Sequence, residues 1–163
     1  MVSVLKRMQA RWAQPGRVDW IGLRPERLAA VVPVDRAEIG TNGLSGDHGR
    51  PGKRAVTLLQ AEHLAAIGAY LGQGPVAPET LRRNIVVAGL NLSALRGRRV
   101  QIGAAVVEIT GPCAPCSRME TALGHGGYSA LRGHGGWCAA VIDPGPVALN
   151  DPVTPTEPLG QDD

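Results

Sequence analysis

Three cysteines, four histidines and a scatter of arginines carry whatever chemistry this chain performs. Two of the cysteines stand together. Thr110-Gly-Pro-Cys-Ala-Pro-Cys-Ser-Arg-Met-Glu120 holds Cys113 and Cys116 in short prolyl turns, between the end of an apolar run and the start of a helix. A thiol reacts as its thiolate, which a helix N-terminus or a nearby cation favours. Cys116 directly precedes Ser117, the first residue of an S-x-x-E capping box that ends at Glu120. It therefore faces the unpaired amides of a first helical turn, and Arg118 adds a cation. The stretch reads as a reactive or metal-binding thiol site, with Cys116 in the lead and Cys113 as an optional second thiol. The alternative is two inert thiols buried in a tight turn.

Cys113 and Cys116 also form C-x-x-C, a spacing shared by zinc sites and redox pairs. A zinc ion needs four ligands, and Cys138, His125 or His134 would have to complete the set. A redox pair of the thioredoxin kind needs a sheet that this order of elements does not supply. Cys138, between Trp137 and Ala139, reads as a core residue.

The elements that must position this turn are short. Val18–Arg24 reads as a strand and Leu28–Val34 as a second. Gly40–Gly49 is a polar, glycine-dense loop, long enough to wrap something. Arg54–Gln60 is strand-like and runs into a helix over Ala61–Leu71, where Leu64, Ile67 and Leu71 recur at helical spacing and Gly72 supplies the stop. Leu81–Gly89 begins polar and becomes a buried strand. Asn91–Leu95 is one helical turn. Arg98–Ile102 and Ala104–Thr110 make a hairpin around Gly103 whose end delivers the cysteine turn. After it come a helix from Ser117, a second helical turn through Ala130 and Leu131, a buried strand at Trp137–Ile142 and a short edge strand at Pro146–Leu149. The acidic tail, residues 154–163, is expected to fray.

The 163 residues fit one domain with a core at about 18–153, without repeat or linker. Gly 22 and Pro 13 favour turns, and with no Phe the core must be Val, Leu, Ile and Ala. Strands outnumber helices and do not alternate with them. The fold class expected is mixed α/β but mainly β: a closed or partly closed, mostly antiparallel barrel with short helical insertions. Net charge is +3 with both signs interspersed; Arg96-Gly-Arg-Arg99 lacks interleaved aromatics and reads as a solvated turn, so no nucleic acid is expected. No apolar run reaches the ~20 residues of a membrane span, and Met1–Arg7 has no apolar stretch of secretory length. An odd cysteine count argues against a disulfide scaffold, which leaves a reducing, cytoplasmic setting as the expectation.

In order along the chain, Gly43-Leu-Ser-Gly-Asp-His48, Arg54-Ala-Val-Thr-Leu-Leu-Gln-Ala-Glu-His63 and Leu81-Arg-Arg-Asn-Ile-Val-Val-Ala-Gly-Leu-Asn-Leu92 are followed by three further blocks. These are Gly97–Gly103, Gly111–Glu120 and Gly126–Gly136. Together they resemble the MOSC domain, named for the C-terminal domain of molybdenum cofactor sulfurases. The resemblance implies a compact β-barrel of the pyruvate-kinase kind, and a cysteine that ligates molybdenum or carries sulfur as a persulfide. Cys116 matches that cysteine, so it is also the implied metal ligand. There is no room for the pyridoxal-phosphate domain of the larger enzymes, so sulfur would come from a partner such as a cysteine desulfurase. Eukaryotic relatives suggest a second activity, molybdenum-cofactor-dependent reduction of N-hydroxylated compounds with a partner electron donor. A non-enzymatic, zinc-stabilised adaptor is the third reading.

A molybdopterin-type ligand wants arginines, glycine-loop amides and a thiolate. The residues offered to it are Arg82, Arg83 and Asn84, of which one arginine faces a ligand if the pair lies on a strand, together with Arg118 and Arg132. Asp47 and His48 come from the long loop, where Asp47 could equally serve to order the backbone. His48 and His134 are candidate proton carriers. Two positions depart from the family pattern: Asn150 replaces a glycine, and the loop after Asp47 carries one histidine where relatives often carry two.

Overall fold

A computed structural model describes residues 1–156. Its strands are β1 (Gly16–Leu23), β2 (Val32–Val34), β3 (Arg36–Gly40), β4 (Gly43–Leu44), β5 (Val56–Gln60), β6 (Ile85–Ala88), β7 (Arg99–Ile102), β8 (Ala105–Pro112), β9 (Trp137–Asp143), β10 (Gly145–Ala148) and β11 (Pro152–Pro155). The helices are α1 (Val4–Gln9), α2 (Ala61–Tyr70), α3 (Pro78–Leu81), α4 (Ser117–Leu123) and α5 (Gly127–Leu131), with a 3₁₀ turn at Leu92–Leu95.

The main sheet runs β11-β7-β8-β9-β5-β6-β1-β2, and β11 also pairs with β1. Seven strands thus close into a barrel, with β2 as an appended edge. Every pairing in it is antiparallel except β5 with β6. That one parallel pair is buried along its whole length, as a strand covered on both faces must be. In β7, by contrast, exposed and buried residues alternate, the pattern of a strand with one wet face. A second sheet, β10-β3-β4, flanks the barrel.

The core divides in two. The barrel interior is filled by Val18, Ile21, Leu58, Ile85, Val107 and Ile109 among others, while Leu59, Ile67, Leu81, Val86, Met119 and Leu131 pack the helices against the outside of β5 and β6. Neighbouring residues of one strand, Leu58 and Leu59, therefore serve opposite cores, which follows from strand alternation. The mainly β barrel with few short helices matches the expected fold class.

Four local expectations need correction. Leu28 is exposed with φ +72, so the strand expected over Leu28–Val34 begins only at Val32. Thr154 and Pro155 belong to β11, held by β7, and the Thr156 amide donates to the Arg99 carbonyl at 3.1 Å, whereas the rest of the expected frayed tail, 157–163, lies outside the described residues. Arg82 and Arg83 precede the strand rather than forming its entrance: Arg82 ends α3 in the left-handed conformation. The capping box is not made either. Cys116 itself occupies the N-cap of α4, without a side-chain hydrogen bond. Glu120 instead reaches forward to accept from the Gly126 and Tyr128 amides, at 2.9 and 3.0 Å, which staples α4 to α5.

Candidate functional site

Where β8 leaves the barrel, its continuation through Cys113 still tracks β9, and the Cys113 amide donates to the Gly136 carbonyl at 2.9 Å. Two glycines make this approach achievable. Gly136, at φ +94, lies directly on the Leu58 carbonyl, and a Cβ on Gly135 would come within 2.7 Å of the Cys113 carbonyl. The effect is to set Cys113 beside Cys138 of β9. Their sulfurs are 3.1 Å apart, at hydrogen-bonding distance, and both residues are buried. No disulfide joins them; all three cysteines are free.

This pair forms part of the wall of a cavity of about 730 Å³. Six arginines line the same cavity: Arg24, Arg27, Arg50, Arg54, Arg83 and Arg118. His48, from the long glycine loop, completes its rim. The electrostatics of the thiols follow. Hydrogen bonding to Cys113 is the largest influence on Cys138 and lowers it; burial opposes, but the charges of Arg83, Arg54 and Arg24 add to the lowering, and its pKa is pushed down to about 6. Donating that hydrogen bond, together with burial, pushes Cys113 up. The pair therefore gives up one proton readily and holds the second, as one thiolate braced by one thiol.

The arginine wall is positioned by a buried polar knot. Arg24 follows β1 and grips Asp47, whose carboxylate accepts from the Arg24 amide at 2.6 Å, from Nε at 3.1 Å and from Nη2 at 3.0 Å. Asp47 also accepts from the Gly49 amide at 3.0 Å, so it closes the glycine loop on itself. Burial alone would raise the Asp47 carboxyl, but the Arg24 hydrogen bonds and charge, helped by Asn84, hold it below the usual carboxylate range. Asn84 is fully buried. Its Oδ1 accepts from the Thr57 amide and hydroxyl, both at 3.1 Å, and its Nδ2 donates to Gly22 O and Asp47 Oδ1. A single asparagine ties β1, β5 and the loop together.

The structure thus brings Arg83, Arg118, His48 and Cys113 to one cavity. Arg83 is held by its Nε, which donates to Gly135 O at 2.8 Å. Arg82 turns the other way and donates to the Ala29 carbonyl. Asp47 and Asn84 stand behind the wall. Arg132 lines a smaller adjoining hollow of about 320 Å³ on the other side of Cys113. His134 lies apart, its Nδ1 3.3 Å from His63 Nδ1. Cys116 is exposed at the start of α4 and is not among the lining residues. Among the described residues no three His, Cys, Asp or Glu side chains gather as a metal site, so Cys113, Cys116, His125 and His134 do not converge. Sequence reasoning missed the pairing of Cys138 with Cys113, and it missed Arg24, Arg27, Arg50 and Arg54. Arg24 had a usable signal, a cation at the end of an apolar strand. Cys138 had none, because its partner is set by strand pairing.

The model of the MOSC domain matches residues 36–154. The chain belongs to the MOSC domain family. No curated protein matches it in sequence. Among solved structures, YuaD from Bacillus subtilis is similar at 18% identity, covering 86% of this chain and 94% of that one, with a TM-score of 0.75. YiiM from Geobacillus stearothermophilus is 18% identical over 88% of this chain and 76% of its own, with a TM-score of 0.73. YiiM from Escherichia coli is 23% identical over 87% and 70%, with a TM-score of 0.69. These likenesses carry the fold. In this MOSC barrel Asn150 adopts φ +69, a conformation asparagine tolerates better than most residues. Among the described residues no helix is long and apolar enough to cross a membrane.

Proposed function

We propose that this MOSC domain binds an anionic, phosphate-bearing cofactor of the molybdopterin type in the arginine-lined cavity. In this reading Cys116, which lies exposed outside the cavity lining, is the thiol that carries sulfur as a persulfide rather than a ligand to the bound metal. The observation that carries it is the concentration of six arginines on one cavity beside the cysteine turn. The donor set fits such a group. Guanidinium forks match phosphate oxygens, and the neighbouring carboxylate, Asp47, is already neutralised by Arg24. When bound, the cofactor supplies a metal centre able to exchange oxygen, sulfur and electrons.

The chain's own residues do the rest. Arg83 commits its Nε to Gly135 and offers its terminal nitrogens to phosphate. Arg24 is held by Asp47 and contributes field more than free donors. Arg118, one residue after the N-terminal residue of α4, and Arg54 close the other sides. His48 can hold or pass a proton at a ring nitrogen at the rim. Cys116, exposed on the same turn, is open to a partner protein, whether a sulfur donor of the desulfurase class or an electron donor. Three free thiols suit a reducing, cytoplasmic setting.

The test is native mass spectrometry and metal analysis of protein purified from a host that makes the cofactor. Bound cofactor, or a sulfur addition on Cys116, is expected. Cys116→Ser is expected to abolish persulfide formation while leaving cofactor binding and the circular dichroism spectrum unchanged. A protein-bound persulfide that persists in that variant would remove Cys116 from the reading. Loss of binding in Arg83→Gln with Cys116 intact would support the cavity.

A further inference from the structure

Cys113 and Cys138 are not needed by the reading above, yet they are the two thiols that face the arginine cavity. We propose that they form a dithiol site for thiol–disulfide exchange with a low-molecular-weight disulfide that carries carboxylates. The site does not use Cys116, and its substrate would compete with a bound cofactor for the same arginines.

Geometry supplies the first argument. The sulfurs are already 3.1 Å apart, and a bond requires them to come about 1 Å closer. Cys138 lies in β9 and Cys113 just past the end of the antiparallel β8: Cys138 is the partner of Gly111, two residues before Cys113, whose amide still bonds to Gly136. A two-residue diagonal of this kind keeps both side chains on one face. Cys116 is the nearer cysteine in sequence, but it lies exposed beyond Pro115 at the start of a helix. The functional pair is the cross-strand one and not the C-x-x-C.

Charge supplies the second argument. A thiolate at Cys138 is favoured first by the Cys113 hydrogen bond and then, against the effect of burial, by the charges of Arg83, Arg54 and Arg24, which makes it the attacking sulfur. The same arginines, with Arg27, Arg50 and Arg118, set the class of substrate. Carboxylates on the incoming disulfide are drawn to that wall, and a cavity of about 730 Å³ is the size of an ordinary small-molecule site.

The exchange balances as follows. The Cys138 thiolate attacks one sulfur of R–S–S–R; that bond breaks, one R–S⁻ leaves, and a Cys138–S–S–R mixed disulfide forms. Cys113 then yields its proton to the departed thiolate and attacks the Cys138 sulfur. The mixed disulfide breaks, the second R–S⁻ leaves and is protonated from solvent, and a Cys113–Cys138 disulfide remains. The protein loses two electrons and two protons, and the substrate becomes two thiols.

The experiment exposes the reduced full chain to glutathione disulfide, quenches with acid, alkylates the remaining thiols and maps them by peptide mass spectrometry. The Cys113–Cys138 disulfide is expected to form before Cys116 is modified. Glutathione disulfide is expected to react roughly ten times faster than the uncharged hydroxyethyl disulfide at low salt, with the gap narrowing in high salt and in Arg83→Gln. In Cys113→Ser the mixed disulfide should be trapped on Cys138. A Cys113–Cys116 disulfide, or modification confined to Cys116, overturns the proposal. Equal rates for the charged and uncharged disulfides overturn the assigned substrate class. The wild-type mapping and rates decide both points even if the serine variant fails to fold. The reaction is run on protein from a host that makes no molybdenum cofactor, because a bound cofactor would occupy the same cavity; the outcome therefore stands apart from whether the protein binds one.

Discussion

Asn84 Nδ2 donates to Asp47 Oδ1 at 3.1 Å, while Asn84 Oδ1 accepts from both polar groups of Thr57. This one contact joins the base of β5 to the glycine loop, and through Asp47 it aims Arg24 along the cavity wall. The arginine wall is therefore ordered from behind by Asp47 and Asn84, which do not line the cavity.

Removing the hub should be costly. Asn84→Ala strips an acceptor from the Thr57 amide and hydroxyl and a donor from the buried Gly22 carbonyl. Buried groups left unpaired in this way cost about 1–3 kcal/mol each, with partial relaxation. A total loss of about 3 kcal/mol is expected. Urea unfolding should show a lower midpoint with an unchanged slope; a shift no larger than that of an exposed-site control would refute the hub.

Asp47 gives the fold a pH dependence at the acid end. Its folded pKa is depressed, so the unfolded state binds the proton more readily. The stabilisation is present in full above the unfolded value of about 3.9 and is lost as pH falls through the lower folded value. Asp47→Asn removes it, because the neutral amide cannot serve Arg24 as an ion partner. Wild type should be clearly more stable than the variant at neutral pH, and the difference should shrink below pH of about 4. Denaturation at a series of pH values measures this; a difference that grows on acidification has the wrong sign.

Much of the fold was legible because it rests on short-range patterns. The hairpin around Gly103, the α2 stripe of Leu64 and Ile67, and the glycine breaks at Gly124 and Gly133 each follow from local periodicity and turn chemistry. The thiol pair was not legible. C-x-x-C made Cys113 and Cys116 the natural partners, whereas β8–β9 pairing supplies Cys138 from 25 residues away. Trp137 and Ala139 made Cys138 look like filling. The S-x-x-E box misled in a similar way, since Glu120 found the unpaired amides of α5 instead of its own cap. Helix α3 was hidden because Pro78, its first residue, also ends a Gly/Pro-rich loop. Local sequence favours an N-terminal proline in a helix and a loop proline alike.

The glycines before β9 offer a graded test of the cavity's back wall. Gly136→Ala puts a methyl on the Leu58 carbonyl and holds a side chain at φ +94. A loss of about 2 kcal/mol or more is expected, with weaker pairing of β5 to β9. Gly133 has φ +82 but nothing within 4 Å of the added carbon, so Gly133→Ala should cost only the backbone term of about 1 kcal/mol. Thermal or chemical unfolding of the two variants side by side separates crowding from strain. Equal losses would mean that the contact with Leu58 is not what constrains Gly136.

His63 and His134 give a second, separate pH response near neutrality. Their Nδ1 atoms are 3.3 Å apart, and Tyr70 packs against the His134 ring. One nitrogen must donate and the other accept, so the contact requires at least one neutral ring. Burial lowers the His63 pKa, the His134 charge lowers it further, and Glu62 opposes both. Because the folded value is depressed, stability from this group is present above the unfolded value of about 6.5 and declines as pH falls towards the folded one. The direction matches that of Asp47, but the window is more than two pH units higher by the reference values. His63→Gln is expected to flatten the stability profile between pH of about 5 and 7 while leaving the acid limb intact. Imidazole NMR titration should place His63 below a free histidine, and His134→Gln should move it back up. Parallel wild-type and His63→Gln profiles through that window would show that the contact does not contribute to stability.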